Sequence, residues 1–86
     1  MSVVAYMTSW CSDCARSRRV LQRAGVAFAE IDIDKIAGAE TAMRGLNGGS
    51  NKVPTILVDT PEGRIVLVEP GDRELLQTLE RAAVTG

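Results

Sequence analysis

Hydrophobic and polar positions along the chain fall into blocks that predict seven secondary-structure elements. Residues 3–7 are a short apolar block followed by polar residues, which is typical of a buried strand. A helix is predicted over residues 11–24, because its inward positions recur at helical spacing and Gly25 provides a stop. The inward face of this helix is expected to carry Cys14, Ser17, Leu21 and Ala24.

The middle of the chain predicts a second strand and a second helix. Residues 27–33 alternate with the period of a strand, and the side expected to face inward carries Ala27, Ala29, Ile31 and Ile33. We expect Asp34 to cap a helix over residues 36–46, with residues 47–51 forming a glycine-rich loop after it.

The last third of the chain predicts a hairpin and a closing helix. Residues 55–59 and 64–68 are interpreted as strands, and Pro61 and Gly63 between them suit a tight turn. A final helix is expected to begin at Asp72 as its N-cap. Its inward face should carry Leu75, Leu76, Leu79, Ala82 and Ala83.

The resulting order, β-α-β-α-β-β-α, predicts one α/β domain over residues 1–86. The alternating first half implies parallel strands joined by a right-handed crossover, and the hairpin adds antiparallel strands. A four-stranded mixed sheet flanked by three helices is the simplest packing that buries every apolar face. A chain of 86 residues is long enough for one modest core and too short for two.

Composition and charge exclude several classes of function. An apolar fraction of 45% is typical of a folded soluble domain, and a net charge of −1 gives no basis for binding nucleic acid or anionic membranes. No apolar run approaches the roughly 18 residues that span a bilayer, and the first strand lacks the basic leader of a signal peptide. We therefore expect a cytoplasmic protein, and nothing in the sequence indicates an obligate oligomer, so we expect a monomer.

Cys11 and Cys14 are the two cysteines of the chain, and no histidine accompanies them as base or zinc ligand. A disulfide between them would close a loop too small to restrict the unfolded chain, whereas their spacing suits thiols that attack and resolve disulfides. Cys11 falls where a strand passes into a helix, and the helix N-terminus stabilises a thiolate, although the Asp13 carboxylate opposes it. Cys14 lies one turn further and should face the protein.

Alternative interpretations stay open for these residues. The two thiols can instead be half of a zinc or iron–sulfur site shared between two chains, or inert packing residues. Two cysteines separated by two residues in a protein expected to be cytoplasmic favour catalytic thiols over both alternatives. Trp10 either offers a flat apolar surface to a partner beside Cys11 or packs as an ordinary core residue, and the sequence does not separate these roles.

The segment Trp10-Cys11-Ser12-Asp13-Cys14, with Val53-Pro54-Thr55 at the start of the third strand, resembles the glutaredoxin branch of the thioredoxin fold. The segments 6–9, 31–34 and 47–49 are most similar to those of mycoredoxins. This resemblance implies a thioredoxin-like, glutaredoxin-type arrangement of the predicted sheet and helices. It covers nearly the whole chain.

The resemblance also implies roles for individual residues. Cys11 would be the nucleophile and Cys14 the resolving thiol. The Val53–Pro54 bond would be cis and would face the cysteines, with Val53 backbone groups holding an extended peptide or a small thiol. In glutaredoxins a segment before the last helix binds the γ-glutamyl end of glutathione. Gly71 and Asp72 occupy that place and match it in part, so a turn and a helix cap are their alternative roles.

Two departures from the glutaredoxin pattern weigh against glutathione itself. Ser12 and Asp13 stand where glutaredoxins usually have Pro-Tyr, and the neutral segment 7–9 replaces a basic residue that pairs with a glutathione carboxylate. The arginines of the first predicted helix are interpreted as a solvated face rather than an anion site. They are Arg16, Arg18, Arg19 and Arg23.

Together these observations predict a thiol–disulfide oxidoreductase that reduces mixed disulfides between proteins and a low-molecular-weight thiol. The co-substrate is expected to be mycothiol ahead of glutathione, with no bound cofactor or metal. One alternative is a redoxin recycled by a flavoprotein reductase, which donates electrons to a protein such as ribonucleotide reductase. The others are a dimeric iron–sulfur cluster carrier and a plain interaction module.

Overall fold

The computed structural model describes residues 1–85 and contains the predicted order β-α-β-α-β-β-α. The elements are β1 (Ser2–Met7), α1 (Ser12–Arg23), β2 (Phe28–Asp32), α2 (Ala39–Leu46), β3 (Thr55–Thr60), β4 (Gly63–Val68) and α3 (Asp72–Thr85). None of the helices within residues 1–85 has both the length and the hydropathy needed to cross a membrane.

The four strands form one mixed sheet in the order β2-β1-β3-β4. Strand β1 pairs in parallel with β2 and antiparallel with β3, and β3 and β4 form the predicted hairpin. The register places Tyr6 opposite Thr55, so the end of β1 meets the start of β3. This pairing brings the residues after β1 and the residues before β3 to the same edge of the sheet.

The core lies on the central strands and on the helix positions that face them. Helices α1 and α3 pack against each other and bury Leu21 and Leu75, while α2 buries Met43. These side chains are fully removed from water together with Met7 and Ile56 of the sheet. Burial of side chains of this size contributes about 1.5–3 kcal/mol each before conformational entropy is subtracted.

The start of α2 differs from the prediction. The helix begins at Ala39, and its N-cap is Gly38 in the left-handed conformation with φ 80°. Asp34 does not cap it, because the preceding residues form a turn around Asp32. The Asp32 carbonyl accepts from Ile36 N–H at 3.1 Å and its side chain accepts from Asp34 N–H at 2.9 Å. Because of this local turn, α2 begins at Ala39 instead of at the predicted residue 36.

The predicted inward faces are confirmed at six helix positions, while Ile31 and Ile33 at the end of the second strand are half-buried and the other predicted positions are exposed. The six buried residues are Cys14, Ser17, Leu21, Leu75, Leu79 and Ala82. Strand β2 lies at the edge of the sheet, and Ala29 within it and Ala27 just before it are exposed, as is Ala24 at the C-cap of α1. Ala83 and Leu76 of α3 are also exposed. Apolar periodicity indicates a side of a helix or strand, whereas the extent of burial depends on which neighbouring elements reach that position.

The first turn of α3 gives a further correction. The Leu75 N–H donates to the Gly71 carbonyl at 3.0 Å, so Gly71 occupies the N-cap position and Asp72 is the first helical residue. The Asp72 carboxylate still lies in the first turn, where the helix dipole favours it.

Candidate active site

Cys11 is the N-cap residue of α1. Its backbone is extended, with φ −87° and ψ 119°, and its Sγ accepts the backbone N–H of Cys14 at 3.1 Å. The sulfur thus takes the place that a Ser, Thr or Asp side chain has at most helix starts. The free amides of the first helical turn and the positive end of the helix dipole lie at this position. The side chain is half-buried and opens onto the surface.

Cys14 lies one turn further along α1 in a different environment. It is fully buried, as predicted from its position on the inward face. Burial raises the pKa of the Cys14 thiol to about 12, and the hydrogen bond with Cys11 acts in the same direction. Both cysteines are free thiols. The pair therefore combines one accessible sulfur at a helix N-terminus with one shielded sulfur that stays protonated at neutral pH.

The Val53–Pro54 peptide bond is cis and lies beside Cys11, as the resemblance implied. The Val53 carbonyl oxygen is 3.7 Å from Cys11 Sγ and accepts its thiol hydrogen bond. This proximity follows from the pairing of β1 with β3, since Cys11 follows one strand and Val53 precedes the other. Both Val53 and Pro54 are buried, so the backbone rather than the side chains faces the sulfur.

The loop before β3 is held by its own polar side chains. Asn47 Nδ2 donates to Thr55 Oγ1 at 3.0 Å, and Asn47 Oδ1 accepts the Ser50 N–H at 2.9 Å. Thr55 Oγ1 in turn donates to the Lys52 carbonyl at 2.9 Å. These bonds tie the glycine-rich segment to the sheet and fix the backbone on either side of Val53.

Trp10 is 72% exposed, which rules out the interpretation of an ordinary core residue. Its indole N–H donates to Asp34 Oδ2 at 2.8 Å. Sequence reasoning missed this role of Asp34 because it placed the residue as a helix cap. The parallel pairing of β1 with β2 would have predicted the contact between Trp10 and Asp34, since these residues follow the carboxyl ends of the two neighbouring strands.

An open cleft of about 460 Å³ lies beside Cys11. It brings together three of the predicted site residues, Trp10, Cys11 and Val53, and its lining also includes the charged residues Asp13, Lys52 and Glu69. Glu69 was not predicted. Its N–H donates to the Pro54 carbonyl at 2.9 Å, because the end of β4 lies beside the start of β3.

Gly71 and Asp72, the weakest of the predicted binding residues, do not line this cleft. Both are exposed, and Asp72 borders a separate groove between α1 and α3, together with Val20 and Leu76. A role for Gly71 and Asp72 in binding a small thiol stays a prediction. Their observed contribution is to the start of α3.

The arginines of α1 divide into two groups. Arg16, Arg19 and Arg23 are exposed, as a solvated face requires, and Arg16 contacts the Asp13 carboxylate, which offsets the repulsion between Asp13 and a thiolate. Arg18 is different. It donates two hydrogen bonds of 2.7 and 2.8 Å to Glu30, joining α1 to β2.

The Arg18–Glu30 pair also affects ionisation. The guanidinium of Arg18 holds the pKa of the Glu30 carboxyl below its usual value. The positive charge of Arg18 also opposes, in part, the effect of burial on the pKa of Cys14. Within residues 1–85 no cluster of three or more histidine, cysteine or acidic side chains is placed to hold a metal ion.

Comparison with known proteins gives matches over most of the chain. The family model for glutaredoxin matches residues 3–61. A glutaredoxin of Pseudomonas aeruginosa is 43% identical over 58 residues, which cover 65% of this chain and 66% of the relative. A Mycobacterium tuberculosis protein, named provisionally as a glutaredoxin, is 34% identical over 55 residues, or 64% of this chain. The chain spans 66% of the length of each of these relatives.

Solved structures agree with the fold. The holo form of glutaredoxin C1 from the poplar Populus tremula x tremuloides superposes with a TM-score of 0.64, covering 95% of this chain and 77% of the poplar chain. Sequence identity in that alignment is 18%, so the likeness concerns the fold alone. The predicted thioredoxin-like, four-stranded mixed sheet with three helices is therefore confirmed. From the family model and these relatives, we conclude that the chain belongs to the glutaredoxin family, whose members are thiol–disulfide oxidoreductases.

Proposed function

We propose that this chain reduces mixed disulfides between proteins and a low-molecular-weight thiol, with Cys11 as the nucleophile. The observation that carries the proposal is the asymmetry of the two cysteines. Cys11 opens onto a cleft at a helix N-terminus, whereas Cys14 is fully buried and the pKa of its thiol is raised to about 12. The attacking sulfur must reach its substrate, and of the two cysteines Cys11 is the one that lines the cleft.

The first half of the proposed cycle is one thiol–disulfide exchange. The Cys11 thiolate attacks the small-thiol sulfur of the mixed disulfide, so that a new S–S bond forms and the original S–S bond breaks. The protein substrate leaves as a thiolate with the electron pair of the broken bond and takes a proton from water. The small thiol stays on Cys11. The protein substrate has been reduced and Cys11 has been oxidised.

The second half restores Cys11 by either of two routes. A second small-thiol thiolate attacks the sulfur bound to Cys11, which releases the Cys11 thiolate and leaves a disulfide of two small thiols. Alternatively, Cys14 loses its proton and attacks Cys11 Sγ, which releases the small thiol and forms a Cys11–Cys14 disulfide. That disulfide needs an external reductant such as a flavoprotein reductase. The full burial of Cys14 disfavours its thiolate and therefore favours the first route.

Two further groups support substrate binding in this proposal. The Val53 backbone beside Cys11 offers hydrogen-bonding groups to an extended chain, as in strand addition. The exposed indole of Trp10 offers an apolar surface at the same cleft. Pro54 follows Val53 in the fixed cis geometry. Neither half of the proposed cycle requires a bound metal or organic cofactor.

Mycothiol is proposed as the small thiol ahead of glutathione, in a cytoplasmic, monomeric protein. The support is the likeness of segments 6–9, 31–34 and 47–49 to mycoredoxins and the mycobacterial relative. Ser12 and Asp13 between the cysteines and the neutral residues 7–9 add to it, since they depart from the pattern that accompanies glutathione.

Turnover under parallel recycling systems tests the proposal. A mixed-disulfide substrate is supplied with mycothiol and its reductase, with glutathione and its reductase, or with thioredoxin reductase alone, and NADPH consumption is followed. Activity with one small thiol, lost in Cys11→Ser and kept in Cys14→Ser, is the expected result. Activity with thioredoxin reductase alone that needs both cysteines would replace the proposal with a redoxin of the thioredoxin type. No activity in any system would reject it.

A further inference from the structure

Glu69 has an unusual backbone conformation at the Cys11 cleft. Among residues 1–85 it is the one non-glycine residue with a positive φ, at 49°. This region crowds the β-carbon of an L-residue and costs about 1–2 kcal/mol relative to the right-handed region. The hydrogen bond from Glu69 N–H to the Pro54 carbonyl, 2.9 Å long, holds the conformation. An outlier held in this way beside a reactive group indicates a functional role.

The Glu69 carboxylate is free to interact with a bound molecule. The residue is exposed and lines the same cleft as Cys11. Within the described part of the chain its carboxylate has no hydrogen-bond or ion-pair partner. The other charged residues of the cleft are Asp13, which is paired with Arg16, and Lys52, whose ammonium group is also without an ion-pair partner in residues 1–85.

The backbone places Glu69 next to the point of exchange. The Val53 carbonyl contacts Cys11 Sγ and the following carbonyl, that of Pro54, accepts the Glu69 N–H. The carbonyls of two successive residues, Val53 and Pro54, therefore hold the reactive sulfur and Glu69 beside the same short backbone segment. Consider a substrate peptide that lies along Val53 and has its mixed disulfide at Cys11. A residue next to the disulfide-bonded cysteine of that peptide then lies close to Glu69. Lys52, one residue before Val53, lines the same cleft.

We propose that Glu69 determines specificity by favouring protein disulfides that carry a basic side chain on one flank of the target cysteine and disfavouring those with an acidic one. The inference rests on the proposed oxidoreductase function and adds the class of protein substrate to it. An exposed charge pair changes binding by a small amount, so the expected discrimination is about threefold at low ionic strength. Salt weakens it, because charges at a surface are screened.

Four peptides test this proposal. Each carries Lys or Glu immediately before or immediately after a single cysteine, and each cysteine is joined in a mixed disulfide to 2-mercaptoethanol, which adds no charge. The ratio of kcat/KM for the Lys peptide to that for the Glu peptide is measured at each flank. The variants are Glu69→Gln, which removes the charge and keeps the side-chain shape, and Glu62→Gln, which removes a carboxylate in the β3–β4 turn.

The wild type is expected to favour Lys about threefold at one flank, and Glu62→Gln should keep this ratio. In Glu69→Gln the ratio at that flank should approach one, and in the wild type it should shrink as salt is added. A wild type that treats Lys and Glu alike at both flanks, or a preference that persists in Glu69→Gln, would overturn the inference and leave the oxidoreductase function standing. Failure to reduce any of the peptides would overturn the inference, and the oxidoreductase function falls with it only if none of the three recycling systems supports turnover.

Discussion

The indole N–H of Trp10 donates a 2.8 Å hydrogen bond to the carboxylate of Asp34, which lies 24 positions later in the chain. The two residues follow β1 and β2, and these strands are parallel neighbours, so their carboxyl ends bring the side chains together. Trp10 is 72% exposed, so a hydrogen bond rather than core packing sets the orientation of its ring. Asp34 is therefore a positioning residue for an apolar surface at the Cys11 cleft.

Replacing Asp34 should loosen Trp10 without touching the thiols. We expect Asp34→Ala to raise KM for a mixed-disulfide substrate about twofold with a smaller change in kcat, since one exposed hydrogen bond is lost. Trp10 is the single tryptophan of the chain, so its fluorescence spectrum reports the change directly. Asp34→Asn keeps an oxygen acceptor and should resemble the wild type. Identical spectra and KM values for Asp34→Ala and the wild type would show that the bond does not position the ring.

The two cysteines should differ strongly in reactivity. In the native protein at neutral pH, iodoacetamide is expected to alkylate Cys11 and leave Cys14 unmodified, because Cys14 is buried and the pKa of its thiol is raised to about 12. Peptide mapping over a time course measures the two rates. Both thiols should react once the chain is unfolded in denaturant, which serves as the control. Equal native rates would contradict the described asymmetry.

The raised pKa of Cys14 also predicts a loss of stability at alkaline pH. Its value rises from 9.0 to about 12 on folding, so the native state holds a proton that the unfolded state loses. The contribution to the free energy of unfolding is complete below pH 9.0 and declines as the pH rises toward 12. Denaturant titrations from pH 8 to 11 should show this decline in the wild type and a shallower one in Cys14→Ala, relative to each protein's own value at pH 8. If the free energy of unfolding falls equally steeply with pH in both proteins, the raised pKa of Cys14 is contradicted.

Stability at acid pH should depend on the pair formed by Arg18 and Glu30. The pKa of Glu30 is lowered by Arg18, so its contribution is present above the usual value of 4.5 and is lost as pH falls through the lowered value. Both side chains are partly exposed, with 29% and 36% of their surface accessible, which limits the contribution to about 0.5–1 kcal/mol. Glu30→Gln should be less stable than the wild type at pH 7 by this amount. The difference should narrow below pH 4, and a constant gap would contradict the pairing.

Asn47 should support the loop that carries Val53 and Pro54. Its side chain bonds both Thr55 Oγ1 and the Ser50 N–H, at 3.0 and 2.9 Å. We expect Asn47→Ala to lower the free energy of unfolding by about 1–2 kcal/mol, since two part-buried hydrogen bonds are lost, and to raise KM. Gln22→Ala, on the exposed face of α1, should change neither quantity. If Asn47→Ala is as active and as stable as the wild type, the Asn47 side chain does not support this loop.

The order of elements was predictable from sequence because each apolar block has a clear period and is bounded by glycine, proline or polar residues. The start of α2 was not, because Asp34 has the chemistry of a cap while the Asp32 turn competes for the same backbone. The exposure of Ala29 and Leu76 likewise depends on which elements neighbour them, and a one-dimensional pattern carries no such information.

Some residues of the candidate site were also predictable from sequence and others were not. Cys11, Cys14, Val53 and Pro54 were recognisable because spacing and residue type are part of the motif itself. Asp34 and Glu69 reach the cleft region through the pairing of β2 with β1 and of β4 with β3, so they become visible only when strand order is known.

Trapping the first covalent intermediate identifies the nucleophilic cysteine. Cys14→Ser is mixed with a protein carrying a small-thiol mixed disulfide, quenched with acid, and examined by intact-protein mass spectrometry and peptide mapping. We expect one small thiol bound per chain, located on Cys11, and no adduct on Cys11→Ser treated in the same way. An adduct on Cys14 in Cys11→Ser at a comparable rate, or no adduct on Cys14→Ser despite turnover by the wild type, would contradict the assignment of Cys11 as nucleophile.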